Sequence, residues 1–257
     1  MTDAFFLPLG EDRWQATAHT SGPWDARFQH GGPPSALLGR AIERCAPRAE
    51  MAVARVTVEL LGAVPVGELG LRVRLARPGR SVELVEAALT AGGRDVARAQ
   101  AWRVLRTAAP AVPPRQPPAP PLPDKGADQI PGGWVSGYLS AVEWRFVRGR
   151  LDHPGPATAW TRLRVPIVPD EEPSPLQRVL AVADSGNGIS SELEIASWHF
   201  INPELSVHLH REAVGEWVCL DATTTISPGG VGLATSVLSD LDGPVAAGAQ
   251  SLLVAPR

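Results

Sequence analysis

Apolar positions first recur with helical spacing at residues 35–44, where Leu37, Leu38, Ala41 and Ile42 fall on one side of a helix. Just ahead stands His30-Gly31-Gly32-Pro33-Pro34. Prolines suit a first helical turn because their missing N–H would have no partner there. An alternating segment at 13–18 and a turn-rich stretch through Gly22-Pro23-Trp24 precede the helix. After Pro47 the period changes to two. Val53, Val56, Val58 and Leu60 mark one strand, and residues 69–76, 81–90 and 95–105 mark three more, divided by Arg77-Pro78-Gly79-Arg80 and Ala91-Gly92-Gly93 turns. Strand, helix, then four strands with short connections predict a long antiparallel sheet wrapped around one central helix.

The same order returns further on. Residues 140–147 and 157–166 read as strands, and 175–184 as a helix with Leu176, Val179, Leu180 and Val182 on its apolar side. Residues 195–200, 205–211, 216–222 and 245–254 read as strands again. The final hairpins correspond: Gly93 leads to Val96-Ala97 and Ala99-Gln100, and Gly243 leads to Val245-Ala246 and Ala249-Gln250. The economical account is a duplication, with Gln100 the first-half counterpart of Gln250. Between the halves lies a stretch with eight prolines from Pro110 to Pro123. Proline fixes φ and removes a backbone donor, so this stretch predicts an extended connector. The expected organisation is α+β: a domain at 1–107, a Pro-rich linker at 108–130, and a second domain at 131–257. Each unit leaves an open face that a second unit, back to back, would cover.

Composition narrows the class. Hydrophobic residues at 44% and charged residues at 20% fit a folded chain with a real core. A net charge of −3 gives no footprint for nucleic acid or an anionic membrane. The absence of a long apolar run and of a basic leader predicts a cytoplasmic protein with no membrane partner. Cys45 and Cys219 cannot form a disulfide framework, which fits a reducing compartment. No G-x-S-x-G elbow is present, against an α/β-hydrolase. Gly229-Gly230-Val231-Gly232 lacks the lysine and the strand-to-helix context of a phosphate loop. His208 and His210 share a strand face, half of a metal site that nothing nearby completes. No cofactor and no metal are therefore expected. Trp198 and Trp217 read as core residues, with a place in a substrate tunnel as the alternative.

Phe28-Gln29-His30-Gly31-Gly32, Leu180-Ala181-Val182-Ala183-Asp184, Ser197-Trp198-His199-Phe200, Thr223-Thr224-Thr225 and residues 245–250 together resemble the type II acyl-CoA thioesterases, members of the double-hotdog superfamily. The resemblance covers nearly the whole chain. It implies a tandem double hotdog that hydrolyses acyl-CoA, or a related acyl thioester, to free fatty acid and CoA. The family's catalytic aspartate, hydroxyl residue and glutamine fall on Asp184, Thr225 and Gln250. Thr223 and Thr224 adjoin Thr225, and a one-residue slip would turn a different side chain inward. The linker, and Ser185-Gly186-Asn187-Gly188 in place of larger apolar residues, depart from the family pattern.

The residues themselves support that chemistry. A thiolate leaves readily, so one carboxylate that activates water, with polar groups to orient it, is sufficient apparatus. Asp184 ends an apolar helical run, and Thr225 and Gln250 can hold a water without competing for its proton. His30, Gly31 and Gly32 are the expected substrate-binding residues, with backbone N–H groups at a helix start facing developing negative charge. The first half has the glycine pair but Gly39, or a neighbour, where a carboxylate would stand. The second has Asp184 but Pro173-Ser174-Pro175 where a glycine pair would stand. One composite site per chain is therefore predicted. Two alternatives remain open. One is a non-catalytic acyl-thioester-binding or pathway-accessory hotdog protein. The other is a hydratase or dehydratase, which would want a histidine beside the acid; none lies between residues 174 and 194. Further pairing of double-hotdog units into a homo-oligomer is compatible with the reading.

Overall fold

The computed structural model describes residues 3–110, 112, 117–124 and 136–257. The first half contains strands β1 (Phe6–Pro8) and β2 (Arg13–Ala16), helix α1 (Gly32–Arg44), and strands β3 (Met51–Leu60), β4 (Glu68–Arg77), β5 (Val82–Ala91) and β6 (Arg94–Leu105). The second half opens with helix α2 (Gly137–Ala141) and strands β7 (Val142–Arg150) and β8 (His153–Leu163). Helices α3 (Pro175–Ala183) and α4 (Gly186–Ile189) follow, then β9 (Trp198–Ile201), β10 (Glu204–Leu209), β11 (Val218–Ile226), β12 (Val231–Asp240) and β13 (Gly243–Pro256). Strand β12 was not expected from the sequence. Its inward positions include the small residues Gly232, Ala234 and Ser236, which erase the apolar alternation that marks a strand.

All strand pairs are antiparallel and form one sheet in the order β1-β2-β4-β5-β6-β3-β10-β13-β12-β11-β8-β7, with β9 on β13. The second six strands repeat the first six in mirrored order about the β3–β10 seam. These are the two hotdog units of a tandem double hotdog. Across the seam Thr57 and Ser206 share a side-chain hydrogen bond of 3.1 Å.

Helices α1 and α3 pack side by side and antiparallel: Gly31 lies by Asp184, Gly39 by Leu180, and Glu43 by Ser174. A Cβ on Gly32 would come within 2.0 Å of the Ala181 carbonyl oxygen, and one on Gly39 within 2.6 Å of Leu180 Cδ1. Only glycine allows so close an approach. Leu37, Leu38 and Ile42 are completely buried. Burial of each contributes about 1.5–3 kcal/mol, and truncation of one to alanine would cost about 2–5 kcal/mol.

The hairpins correct one correspondence drawn from sequence. In β5–β6 the register slips at Val96, and in β12–β13 it slips at Val245. Counting on from these matched bulges, the counterpart of Gln250 is Ala101, not Gln100. The interval from the valine to the glutamine is one residue longer in the second half, and one residue reverses the face of a strand. Gln100 is accordingly exposed and bonds to Glu86 on the outer face, whereas Ala101 is buried.

Most of the expected linker at 108–130 lies outside the described residues. Within residues 117–124, the carbonyls of Pro120 and Pro123 accept hydrogen bonds from Trp160 and Arg145 of the second half.

Candidate active site

Asp184 caps the C-terminal end of α3 and is buried. Its Oδ1 accepts a 2.7 Å hydrogen bond from the Asn202 amide and a longer one, 3.4 Å, from Gln250 Nε2. Gln250 Nε2 also donates to the Asp184 carbonyl at 3.1 Å, and Gln250 Oε1 accepts from the Asn187 N–H at 3.0 Å. The glutamine amide is thus spent on holding Asp184 and the first turn of α4. Oδ2 faces the start of α1 in the other hotdog unit. A Cβ on Gly31 would lie 2.5 Å from it, and His30 Nδ1 lies 3.5 Å away.

The start of α1 is unusual for its few donors. Pro33 and Pro34 supply no N–H, and the Gly32 N–H donates to His30 Nδ1 at 3.0 Å. Gly32 is therefore not a free donor, contrary to the expectation from sequence; its role is close packing against Ala181. The Gly31 N–H has no partner among the described residues. Because Nδ1 accepts, the neutral His30 ring carries its proton on Nε2. Burial pushes the His30 pKa below its ordinary value, with the Asp184 charge opposing. The ring is stacked on Tyr138, centroids 3.8 Å apart and planes 6° from parallel. The Tyr138 hydroxyl, its own pKa raised by burial, bonds to the Ala181 carbonyl and to Ser185 Oγ. A residue of α2 in the second half thereby fixes the plane of a histidine in the first.

Thr225 is not where the sequence reading placed it. It is exposed on the outer sheet face, and Thr224 is the inward residue of β11. Thr224, Ala234 and Gln250 form one cross-strand row. The Thr224 hydroxyl shares a 2.8 Å hydrogen bond with Ser190 Oγ, which donates to the Gly186 carbonyl. Thr224 thus braces the α4 turn that carries Asn187. In the first half the equivalent row is Leu75, Val85 and Ala101, all apolar. Gly39 packs on Leu180, and the carboxylate of α1 is Glu43 at the helix's far end. Glu43 accepts from Ser174 and Gln177, and burial raises its pKa.

A cavity of about 620 Å³ opens beside Asp184. His30, Gly31, Trp24, Phe28, Leu60 and Val64 line it from the first half, and Asp184, Asn202, Leu139, Trp144, Ile189 and Phe200 from the second. Its tryptophans are Trp24 and Trp144 and not the two singled out in the sequence. Trp198 packs in a small separate cluster, and the guanidinium groups of Arg145 and Arg162 lie 4.4 and 4.9 Å from the centre of the Trp217 ring. His208 and His210 are exposed. Asn202 was missed because a lone asparagine between two short strands carries no pattern. The histidine near Asp184 was discounted because it is remote in sequence; it arrives across the interface between the halves.

The sequence matches the acyl-CoA thioesterase N-terminal domain over residues 20–104 and the acyl-CoA thioesterase C-terminal domain over residues 113–254. The chain belongs to the acyl-CoA thioesterase family and is a thioester hydrolase. Among solved structures it is similar to a hot dog fold protein from Alicyclobacillus acidocaldarius, with TM-score 0.75 and 15% identity over 96% of this chain and 95% of that one. The TesB protein of Mycobacterium avium subspecies paratuberculosis aligns with TM-score 0.69 and 18% identity over 98% and 96% of the two chains. Acyl-CoA thioesterase II TesB2 of Mycobacterium marinum gives 0.69 and 16% over 98% and 95%. No curated protein matches the sequence. Among the described residues no helix is long and apolar enough to cross a membrane.

Proposed function

We propose that the chain hydrolyses acyl-CoA to free fatty acid and CoA at one site, with Asp184 as the base that activates water. The observation carrying this reading is the position of the Asp184 carboxylate, buried, tied through Oδ1, and presenting Oδ2 to an apolar cavity beside the start of α1. The acyl chain occupies the cavity. The thioester carbonyl oxygen takes hydrogen bonds from the Gly31 N–H and His30 Nε2–H, donors aimed at the charge that develops on it. Asp184 Oδ2 accepts a proton as the water oxygen bonds to the carbonyl carbon. The tetrahedral intermediate collapses, the carbon–sulfur bond breaks, and the proton on Asp184 passes to the departing thiolate. Gln250 holds Asp184, and Thr224 braces the adjoining turn. We read residues 1–107 and 131–257 as the two units that build this composite site.

A second reading rests on one observation: His30 and Asp184 form the histidine–acid pair that hydration of an unsaturated acyl thioester would use. Membership of the thioesterase family favours hydrolysis. The test is thiol release, followed with a disulfide dye, from saturated acyl-CoAs of increasing length. Turnover that falls by roughly 10²–10⁴-fold in Asp184→Asn, with the fold intact, supports the reading. Loss of the absorbance of an α,β-unsaturated thioester without thiol release would move the assignment to hydration.

A further inference from the structure

Four glycines around Asp184 and along the helix pair are explained by contact. A β-carbon on Gly31, Gly32 or Gly39 would stand 2.5, 2.0 or 2.6 Å from Asp184, Ala181 or Leu180 of the other half, and one on Gly186 would stand 2.9 Å from Gln250 Oε1. Gly188 is different. A β-carbon there meets no atom within 4 Å, and the residue belongs to the wall of the cavity. Its backbone gives no reason for glycine either, because it lies inside α4 and outside the left-handed region that glycine alone enters readily. Glycine is among the poorest helix residues, so a larger residue would suit α4 better. What glycine preserves at this position is empty space in the cavity.

The helical turn locates that space. Asp184 and Ser185 are right-handed helical, with φ and ψ of −65° and −15° and of −75° and −4°. The N–H groups of Ile189 and Ser190 reach back to the carbonyls of Ser185 and Gly186. The chain thus keeps its helical turn from Asp184 to Gly188, and residues so spaced share a face, with β-carbons about 5–6 Å apart. The open space therefore lies one turn on from the carboxylate that faces the thioester. Ile189 beside it is buried and also lines the cavity, so the space opens onto apolar wall. The part of an acyl group that passes there is its first carbons, not its tail.

We propose that Gly188 is a specificity-determining residue that leaves room beside the reacting carbonyl for a branch on the acyl α-carbon, so that the enzyme accepts α-branched acyl-CoAs. This rests on the reading of Asp184 as the base that activates water. A side chain at 188 would fill the room one turn from Asp184 and press a branched acyl group away from the attacking water. A straight chain carries only hydrogens on its α-carbon and has less to displace. The two glycines of the Ser185-Gly186-Asn187-Gly188 run then have opposite reasons: Gly186 closes on Gln250, and Gly188 keeps the cavity open.

The test measures kcat/KM for thiol release from octanoyl-CoA and from its isomer α-methylheptanoyl-CoA. It compares the wild type, Gly188→Ala, Gly188→Leu and Asp184→Asn, with a melting curve for each. The wild type hydrolyses both isomers. One carbon of pocket space changes selectivity roughly 10–200-fold, so Gly188→Ala lowers the branched-to-straight ratio about tenfold and Gly188→Leu lowers it further. Gly188→Ala melts at or above the wild-type temperature, since alanine is the better helix residue, and it carries the test should the leucine variant fail to fold. An unchanged ratio, an equal fall on both isomers included, overturns the role of Gly188. A wild type that releases thiol from the straight isomer alone does the same, as does a Gly188→Ala that melts well below it. Each of these leaves the hydrolysis reading standing while Asp184→Asn is inactive. An Asp184→Asn as active as the wild type overturns both.

Discussion

Oδ2 of Asp184 lies 2.5 Å from the point where the β-carbon of any residue but glycine at position 31 would stand, too close for both. The two residues come from different hotdog units, and their contact sets the distance between the acid and the free N–H at the start of α1.

Gly31→Ala tests that contact. The backbone there is right-handed helical, with φ −68° and ψ −16°, so alanine brings no conformational strain. It brings a collision that only a swing of the carboxylate or a retreat of α1 relieves. Overpacking of this kind costs about 1–3 kcal/mol. If that cost falls on the catalytic geometry, kcat drops roughly tenfold or more, while the melting temperature changes little. Steady-state kinetics beside a melting curve separate the two; a full kcat in a folded variant would show that the carboxylate has room to spare.

Gln250→Ala and Gln100→Ala form a matched pair. The first removes an amide that holds Asp184 and receives the Asn187 N–H in a buried place, at about 1.5–3 kcal/mol for a bond to a charged group. Both activity and the urea midpoint should fall. The second removes an exposed side chain and should stay within about 0.5 kcal/mol of wild type with turnover intact. Equal losses at the two positions would contradict the register of the final hairpins.

The same comparison applies to β11. Thr224→Val removes the hydroxyl bonded to Ser190 Oγ, which keeps only the Gly186 carbonyl, and should cost about 1 kcal/mol in thermal or urea denaturation, with a loss of rate through the α4 turn. Thr225→Val sits on the outer face and should be close to neutral. A larger effect at Thr225 would mean that β11 runs in the other register.

His30 gives the enzyme a pH dependence of known sign. Its pKa is below 6.5 in the folded chain, so just below that pH the unfolded chain takes up a proton that the folded chain does not. Stability is then complete above the unfolded value and is lost as pH falls through the window beneath it. His30→Phe keeps a ring on Tyr138 and removes this proton uptake. Urea midpoints measured from about pH 8 to about pH 5.5 should fall less steeply for His30→Phe than for wild type. Parallel slopes would show that His30 titrates alike in both states.

Much of this was legible in the chain. The helical spacing of Leu37, Leu38 and Ile42 and the alternation after Pro47 located the first unit, because both periods arise from one buried face. Asp184 and Gln250 were named through the family resemblance, and the structure buries both and brings them within hydrogen-bond distance. What escaped depended on single-residue phase or on long-range contact. Thr225 was chosen where Thr224 points inward, and Gln100 was matched to Gln250 by counting from the turn glycines Gly93 and Gly243, although the two hairpins reach their bulged valines after a different number of residues. Strand β12 hid behind small residues. The nearness of His30 and Asn202 to Asp184 exists only after the halves fold together.

The apolar row Leu75, Val85 and Ala101 has a consequence for how the duplicated chain divides its labour. At the same three places the second unit carries Thr224, Ala234 and Gln250, two of them polar groups whose burial is tolerable only while every hydrogen bond is kept. The first unit is free of that burden at these three places, while its helix start still borders the cavity. Fusion of the copies has let these three places diverge, so the polar row that must keep its hydrogen bonds is confined to one half of the molecule.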